Sequence, residues 1–260
     1  MLLALDIGNT TVGIGVFKDK DLVRDWKIRS DREKTSDEYS VILLNLLGQA
    51  GLAPSAVKDV IISSVVPPLT PIFQSLSQHL FGAKAVIVGP GLKTGVPILY
   101  ENPLEVGADR VVAAAAAIDR FGGPCIVVDF GTATTFDAVS AKGEYLGGAI
   151  APGIQISAEA LASRTAKLPR IEIVPPRRAI GKTTVARMQS GIYYGYVGLV
   201  NNIIAEIKKE LGAEGAGKIT VVATGGFAGE IAGQIPAIDE VAPGLVLQGL
   251  RLLFDRSRTS

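Results

Sequence analysis

Asp6-Ile7-Gly8-Asn9-Thr10-Thr11 and Asp129-Phe130-Gly131-Thr132-Ala133-Thr134 are two versions of one segment. Each follows a short apolar run (residues 2–5 and 125–128), and each leads into another (12–17 and 136–139). Aligned on the aspartates, Asp, Gly and a Thr coincide, and Val16 falls against Val139. An apolar run, a turn rich in Gly, Asn and Thr, and a second apolar run predict a β-hairpin. Its recurrence predicts two related halves, each opening on such a hairpin.

The chemistry of the turn follows from its residues. Glycine lets backbone N–H groups approach an anion closely, because no Cβ stands in the way. Successive N–H groups form a nest for phosphate oxygens, and Asn and Thr side chains add donors. An aspartate would repel a phosphate, so its natural task is to hold a cation, or a cation's water, that touches phosphate. Two such turns facing each other would hold a triphosphate. Asp-x-Gly and Asn-Thr also make ordinary hairpin turns, and only the repeat raises the pair above that reading. A third small-residue segment, Thr224-Gly225-Gly226-Phe227-Ala228-Gly229, follows the apolar run 219–223 and would let a flat ring lie against backbone.

The rest of the chain reads as α/β. Residues 22–28 make a third strand after the first hairpin. Thr35-Ser36-Asp37-Glu38 has the Thr-x-x-Glu form of a capping box, and the helix behind it presents Val41, Leu44 and Leu47 as its apolar face. A buried strand over 57–65, a helix over 70–81 and a strand over 85–88 complete a βββαβαβ half with a mixed sheet. Gly107-Ala108-Asp109-Arg110 opens an alanine-rich helix that Gly122-Gly123-Pro124 ends. Further elements are a strand over 145–150, a helix over 155–163 and a long helix over 184–211. That long helix carries an apolar stripe of Ile192, Tyr196, Leu199, Ile203, Ile207 and Leu211. A strand over 219–223 and a final helix over 243–254 follow, and the tail 256–260 is expected to fray.

Composition narrows the class. The chain has 260 residues, 48% of them hydrophobic and 20% charged, with a formal net charge of +1. No basic stripe of the kind a nucleic-acid surface needs is present; Pro176-Arg177-Arg178 carries only two charges. With one Cys and one His, an intrachain disulfide is impossible and a structural zinc site is not expected. The N-terminus has no signal-peptide pattern, and the apolar run 111–118 is too short to span a bilayer. The expectation is a soluble, cytoplasmic protein with neither nucleic-acid nor membrane partner.

These residues carry a family resemblance. The turns at 6–13 and 129–135 resemble the two phosphate motifs of the sugar kinase, Hsp70 and actin superfamily. Glu101-Asn102-Pro103, Gly107-Ala108-Asp109-Arg110, Gly147-Gly148-Ala149-Ile150-Ala151-Pro152-Gly153 and Thr224-Gly225-Gly226 are similar to the signature of type III pantothenate kinases. The motifs run through nearly the whole chain. The resemblance implies two ribonuclease-H-like domains, expected at 1–117 and 118–260, in a homodimer. It also implies ATP-dependent phosphorylation of pantothenate at its 4′-hydroxyl, the first step toward coenzyme A, with Mg²⁺ and a monovalent cation, potassium or ammonium. Residue by residue, it implies Asp109 as proton acceptor, with Tyr100, Gly107, Ala108, Asp109, Arg110 and Thr184 lining the pantothenate site. Asp6-Ile7-Gly8-Asn9-Thr10-Thr11-Val12-Gly13 and Thr132 would contact ATP, with Gly225 and Gly226 under its adenosine. Asp129 would bind the monovalent cation and Asp6 the magnesium. Where the family often has Asn before the substrate threonine, this chain has Thr183. Two other functions share the phosphate motifs: a superfamily kinase or phosphatase with another substrate, and a nucleotide-binding regulator of transcription without turnover.

Overall fold

The structure is a computed structural model and describes residues 1–213, 215 and 217–258. The chain divides into two compact units, Met1–Ala116 with 244–258, and Ala117–Pro243.

In the first unit, β1 (Leu2–Ile7), β2 (Thr11–Lys18) and β3 (Asp21–Arg29) form an antiparallel meander. β4 (Asp59–Ser64) and then β5 (Val86–Ile87) add in parallel on the other side of β1, giving the order β3-β2-β1-β4-β5. The alternation of β1 sends Leu3, Leu5 and Ile7 into a core with Tyr39, Leu43 and Leu47 of α1 (Ser36–Gln49) and Phe73 and Leu76 of α2 (Thr70–Phe81). The capping box forms as expected: Glu38 N–H donates to Thr35 Oγ1 and Thr35 N–H to Glu38 Oε2. The helix turns differently from the expected stripe, because Tyr39, Leu43 and Leu47 face the core while Val41 is 59% and Leu44 38% exposed. Tyr39 settles the choice: its ring packs on Phe73, and its hydroxyl donates to the Asp31 carbonyl and accepts from the Asp31 N–H.

The second unit repeats the plan. β6 (Cys125–Phe130), β7 (Ala133–Val139) and β8 (Tyr145–Pro152) make the meander, and β9 (Thr220–Gly225) and β10 (Glu240–Val241) add in parallel, in the order β10-β9-β6-β7-β8. Ile126, Val128 and Phe130 point into a core with Ile154 of α4 (Ile154–Arg164), Tyr196, Val200 and Ile204 of α5 (Thr184–Ala213), and Ala228 and Ile231 of α6 (Ala228–Ile231). Two five-stranded mixed sheets of one topology meet the expectation of two ribonuclease-H-like halves.

The unit limits depart from a division after residue 117. One boundary falls inside α3 (Ala108–Phe121), and the last helix, α7 (Leu245–Arg258), belongs to the first unit. Glycines explain why α7 fits there. Cβ atoms built on Gly13 and Gly15 of β2 would lie 3.9 and 3.2 Å from the Leu247 side chain, and one on Gly249 would lie 2.4 Å from the Val112 carbonyl oxygen of α3. The helix is regular through Arg258 where fraying was expected; residues 259 and 260 lie outside the described residues.

Candidate active site

The two repeated hairpins differ by one residue. In the first, Asp6 pairs with Gly13 and Ile7 with Val12, Gly8 N–H donates to the Thr11 carbonyl (3.0 Å), and Asn9-Thr10 forms the tip. In the second, Asp129 pairs with Thr135 and Phe130 with Thr134, Gly131 N–H donates to the Ala133 carbonyl (3.1 Å), and Thr132 alone is the tip. The sheet counterpart of Val16 is therefore Ala138, and Val139 matches Phe17; the alignment made from sequence holds up to the turn and slips beyond it.

Each aspartate is the last residue but one of the central strand of its sheet, half-buried, with a buried hydroxyl residue beside it on the parallel neighbour. Ser63 is the register partner of Asp6, and Thr224 that of Asp129. Parallel register partners project to the same face of a sheet. Ser63 Oγ is buried with no hydrogen-bond partner, which for a hydroxyl is costly unless something else supplies the bond. A carboxylate and an unpartnered buried hydroxyl on one face make an oxygen site that suits Mg²⁺, an ion that keeps several waters and needs few protein ligands. Beside Asp129 one position admits only glycine. A Cβ on Gly225, whose φ is +96°, would sit 2.4 Å from Asp129 Oδ1 and 2.6 Å from Phe130 N, so only glycine leaves that carboxylate in place. The donors there are oxygen atoms, as an alkali cation requires. No group of three or more His, Cys, Asp or Glu side chains suited to a metal occurs among the described residues.

The turn tips are held from outside. Thr10 carbonyl accepts from Ser30 N–H (2.9 Å), and Arg32 Nη2 donates to Asn9 Oδ1 (3.0 Å). With its oxygen so engaged, Asn9 has its amide protons to offer. Arg32 brings a positive charge to a turn suited to phosphate; it lies 23 positions from Asn9, and nothing in the sequence joins the two. In the second unit, Gly153 N–H donates to the Thr132 carbonyl and Phe227 N–H to the Phe130 carbonyl, while Tyr196 Oη and Thr134 Oγ1 share a hydrogen bond. Gly153 caps α4, so the positive end of that helix abuts the turn. Tyr196, read as core stripe, is both core and clamp. Burial pushes its hydroxyl pKa up, against the hydrogen bonds from Thr134 and the Ile154 backbone.

Asp109 lies in the first turn of α3, where Gly107 carbonyl accepts the opening bonds from Arg110 and Val111. A Cβ on Gly107 would lie 2.5 Å from Asp109 Oδ1 and 3.5 Å from Val65 Cγ1. Val65 N–H in turn donates to the Ile7 carbonyl (3.0 Å). Asp109 is thus brought to the carboxyl ends of β1 and β4, the edge that carries Asp6 and Ser63. Burial raises its pKa, opposed by the Arg110 N–H on Oδ1 (2.9 Å) and the Arg110 charge. Arg110 is half-buried beside it. Tyr100 is 42% exposed in the segment leading to α3, between Leu99 at 56% and Leu104 at 76%. Asn102 shapes that segment by accepting from Leu104 N–H and donating to Glu105 Oε1.

In the second unit, Thr184 is the exposed first residue of α5, and Thr183 Oγ1 accepts from Ala186 N–H as that helix's cap. Threonine and asparagine share this capping ability, so the departure from the family pattern keeps the helix start. Gly225 ends β9, and Gly226 leads to α6. Cys125 is buried in β6 with its thiol pKa pushed up to about 12, a core residue and no nucleophile.

The profile of the family described as type III pantothenate kinase matches residues 2–206. The chain belongs to the type III pantothenate kinase family. The Type III pantothenate kinase of Moorella thermoacetica is 52% identical over 257 residues, 99% of this chain and 100% of that one. That of Geobacter sulfurreducens is 50% identical over 258 residues, again 99% and 100%. A solved inorganic polyphosphate/ATP-glucomannokinase from an Arthrobacter strain superposes with a TM-score of 0.51 at 13% identity, covering 98% of each chain. At that identity the likeness is one of fold. A type III pantothenate kinase fold thus accounts for both hairpins and for the approach of Asp109 to the first sheet.

Proposed function

We propose that this kinase phosphorylates the 4′-hydroxyl of pantothenate with Asp109 as the base. The observation that carries the reading is the position of the Asp109 carboxylate, in the first turn of α3 against Gly107 and Val65, at the sheet edge that ends in Asp6. The hydroxyl oxygen attacks the γ-phosphorus of ATP, its proton passes to Asp109, the bond from phosphorus to the bridging oxygen breaks, and ADP departs. A carboxylate whose pKa is raised by burial is a stronger base than one in water, and positioned general bases contribute about 10²–10⁴-fold. Phosphoryl transfer asks the protein chiefly for positioning and charge stabilisation. The Gly8–Thr11 turn and Thr132 hold phosphate oxygens through backbone N–H groups and hydroxyls, and Gly225-Gly226 makes room for the adenosine.

Arg110 pairs with the substrate carboxylate, for which a guanidinium is suited. Tyr100 lines the pantoyl end and Thr184 adds a hydroxyl. Asp6 and Ser63 would hold hydrated Mg²⁺, which when bound neutralises charge on the phosphate oxygens; Asp129 would hold potassium or ammonium. The enzyme acts as a homodimer in the cytoplasm. Exposed Ile150 at 66%, Tyr194 at 46% and Val185 at 42% support self-association, and no helix among the described residues is long and apolar enough to cross a membrane.

The test is a coupled ADP-release assay with pantothenate, with and without potassium, alongside Asp109→Asn. Turnover that requires pantothenate and falls at least about 100-fold in the variant supports the reading. A native rate in Asp109→Asn removes Asp109 as the base.

A further inference from the structure

The two sheets place Asp6 and Asp129 at equivalent positions of their central strands yet flank them differently. Across β2-β1-β4 the row is Gly13, Asp6, Ser63; across β7-β6-β9 it is Thr135, Asp129, Thr224. Where Asp6 has a glycine, Asp129 has a second hydroxyl. Both threonines share the face of Asp129, because directly paired residues project the same way. Thr224 is buried at 2% exposure.

The state of the Thr135 proton adds a chemical constraint. Thr135 Oγ1 donates to Asp137 Oδ2 (3.1 Å), two residues along the same strand and therefore on the same face. Asp137 is 1% exposed, and its other oxygen accepts from the Tyr145 hydroxyl (2.7 Å). A hydroxyl has one proton and two lone pairs. Once the proton is given to a buried carboxylate, Thr135 Oγ1 can only accept: toward a cation it is a ligand, toward a phosphate it is not.

We propose that Thr135 and Thr224 complete a dehydrated monovalent-cation seat around Asp129, with Asp137 as the positioning residue that fixes the Thr135 proton. The inference rests on the reading of Asp129 as the cation ligand. It explains why equivalent aspartates serve different ions. Mg²⁺ gives up water reluctantly and takes few protein ligands, and Asp6 has one hydroxyl neighbour in its row, Ser63, where Asp129 has two. Potassium is readily stripped of water where protein oxygens replace its shell, and the second sheet supplies them from three adjacent strands. Gly225, which has no Cβ, leaves the Asp129 carboxylate the place it occupies beside the end of β9.

The test is cation binding read by thermal melts, with Mg-ADP present throughout. Potassium chloride is titrated against tetramethylammonium chloride at constant ionic strength. The native enzyme should show a potassium-specific rise in Tm that Asp129→Asn loses. Thr135→Val and Thr224→Val should each move the potassium midpoint up by roughly 5-fold, the worth of about one polar contact, and Thr135→Ser should keep the native midpoint. Thr135→Val strips a donor from Asp137; should it fail to fold, Thr224→Val alone decides. A midpoint unchanged in the valine variants, with Asp129→Asn still inert to potassium, overturns the threonine seat and leaves Asp129 standing. A native enzyme whose melting ignores potassium overturns the Asp129 reading and the seat with it.

Discussion

The Asp109 carboxylate fills the space that a side chain at position 107 would need: a Cβ built on Gly107 falls 2.5 Å from Asp109 Oδ1. The glycine is required by its neighbour's side chain and by no unusual backbone angle, since Gly107 is not among the residues with positive φ. Alanine is therefore compatible with the backbone, and the atom that must move is the end of a side chain. Gly107→Ala should fold, with stability within about 1 kcal/mol of native, and lose roughly 100-fold in kcat, the cost of misplacing a reacting group by an ångström. Melting curves and steady-state rates check both halves. A fall in Tm that matches the fall in rate would assign Gly107 to folding alone.

Asp109 should also weigh against stability. Its folded pKa lies above the ordinary aspartate value because burial disfavours the charge. Below that value the carboxyl is protonated in both the folded and unfolded chain, and its contribution to stability is fully present. As pH rises through the folded pKa, the native state must hold a desolvated anion, and that contribution is lost. Asparagine keeps an oxygen for the Arg110 N–H and does not titrate. Asp109→Asn should therefore melt higher than the native enzyme at pH 7.5 and by a smaller margin at pH 5, while losing turnover. Equal margins at the two pH values would show that the carboxylate is not desolvated in the native state.

Much of this was legible in the chain. The repeated Asp-x-Gly turns identified the halves because glycine and aspartate are punctuation at a strand end, and the capping box at Thr35 fixed a helix start. What could not be read depends on long-range contacts. Val41 and Leu44 are as apolar as Leu43, and only the packing of Tyr39 on Phe73 decides which stripe faces inward. β10, of two residues, and α6, of four, are too short for any periodicity to register. The placement of α7 on the first sheet needs Gly13, Gly15 and Gly249 to be seen together across more than 200 positions. Ser63 reads as the end of an apolar strand until its register with Asp6 is known.

Arg32 is the charged residue at the first turn that sequence reasoning passed over. Its guanidinium holds Asn9 Oδ1 at 3.0 Å and is exposed. Exposed charges are worth about 0.2–1 kcal/mol and weaken with salt. Arg32→Ala should raise KM for ATP by roughly 2–5-fold with kcat little changed, and the difference should shrink at high ionic strength. A change confined to KM for pantothenate would place Arg32 elsewhere in the reaction.

α3 and α7 meet at a close seam. Gly249 sits with its Cα against the Val112 backbone: an added Cβ would meet the carbonyl oxygen at 2.4 Å and the Val112 side chain at 2.7 Å. At Gly107 the obstacle was a mobile carboxylate; here it is main chain within a helix, which can give way only if one helix moves. α3 carries Asp109 on its first turn and Val112 one turn later, so a helix shifted at 112 drags the Asp109 carboxylate with it. Gly249→Ala should cost about 1–3 kcal/mol, as overpacking does, and lower Tm by about 5 °C or more. Well below that Tm it should also lower kcat, although the substitution touches no substrate. Gly249→Ala combined with Val112→Ala removes the side-chain clash and leaves the carbonyl one. If the double variant recovers native stability, the backbone contact is not what fixes the seam; if it recovers neither stability nor rate, the close approach of the two main chains is what holds Asp109 in place.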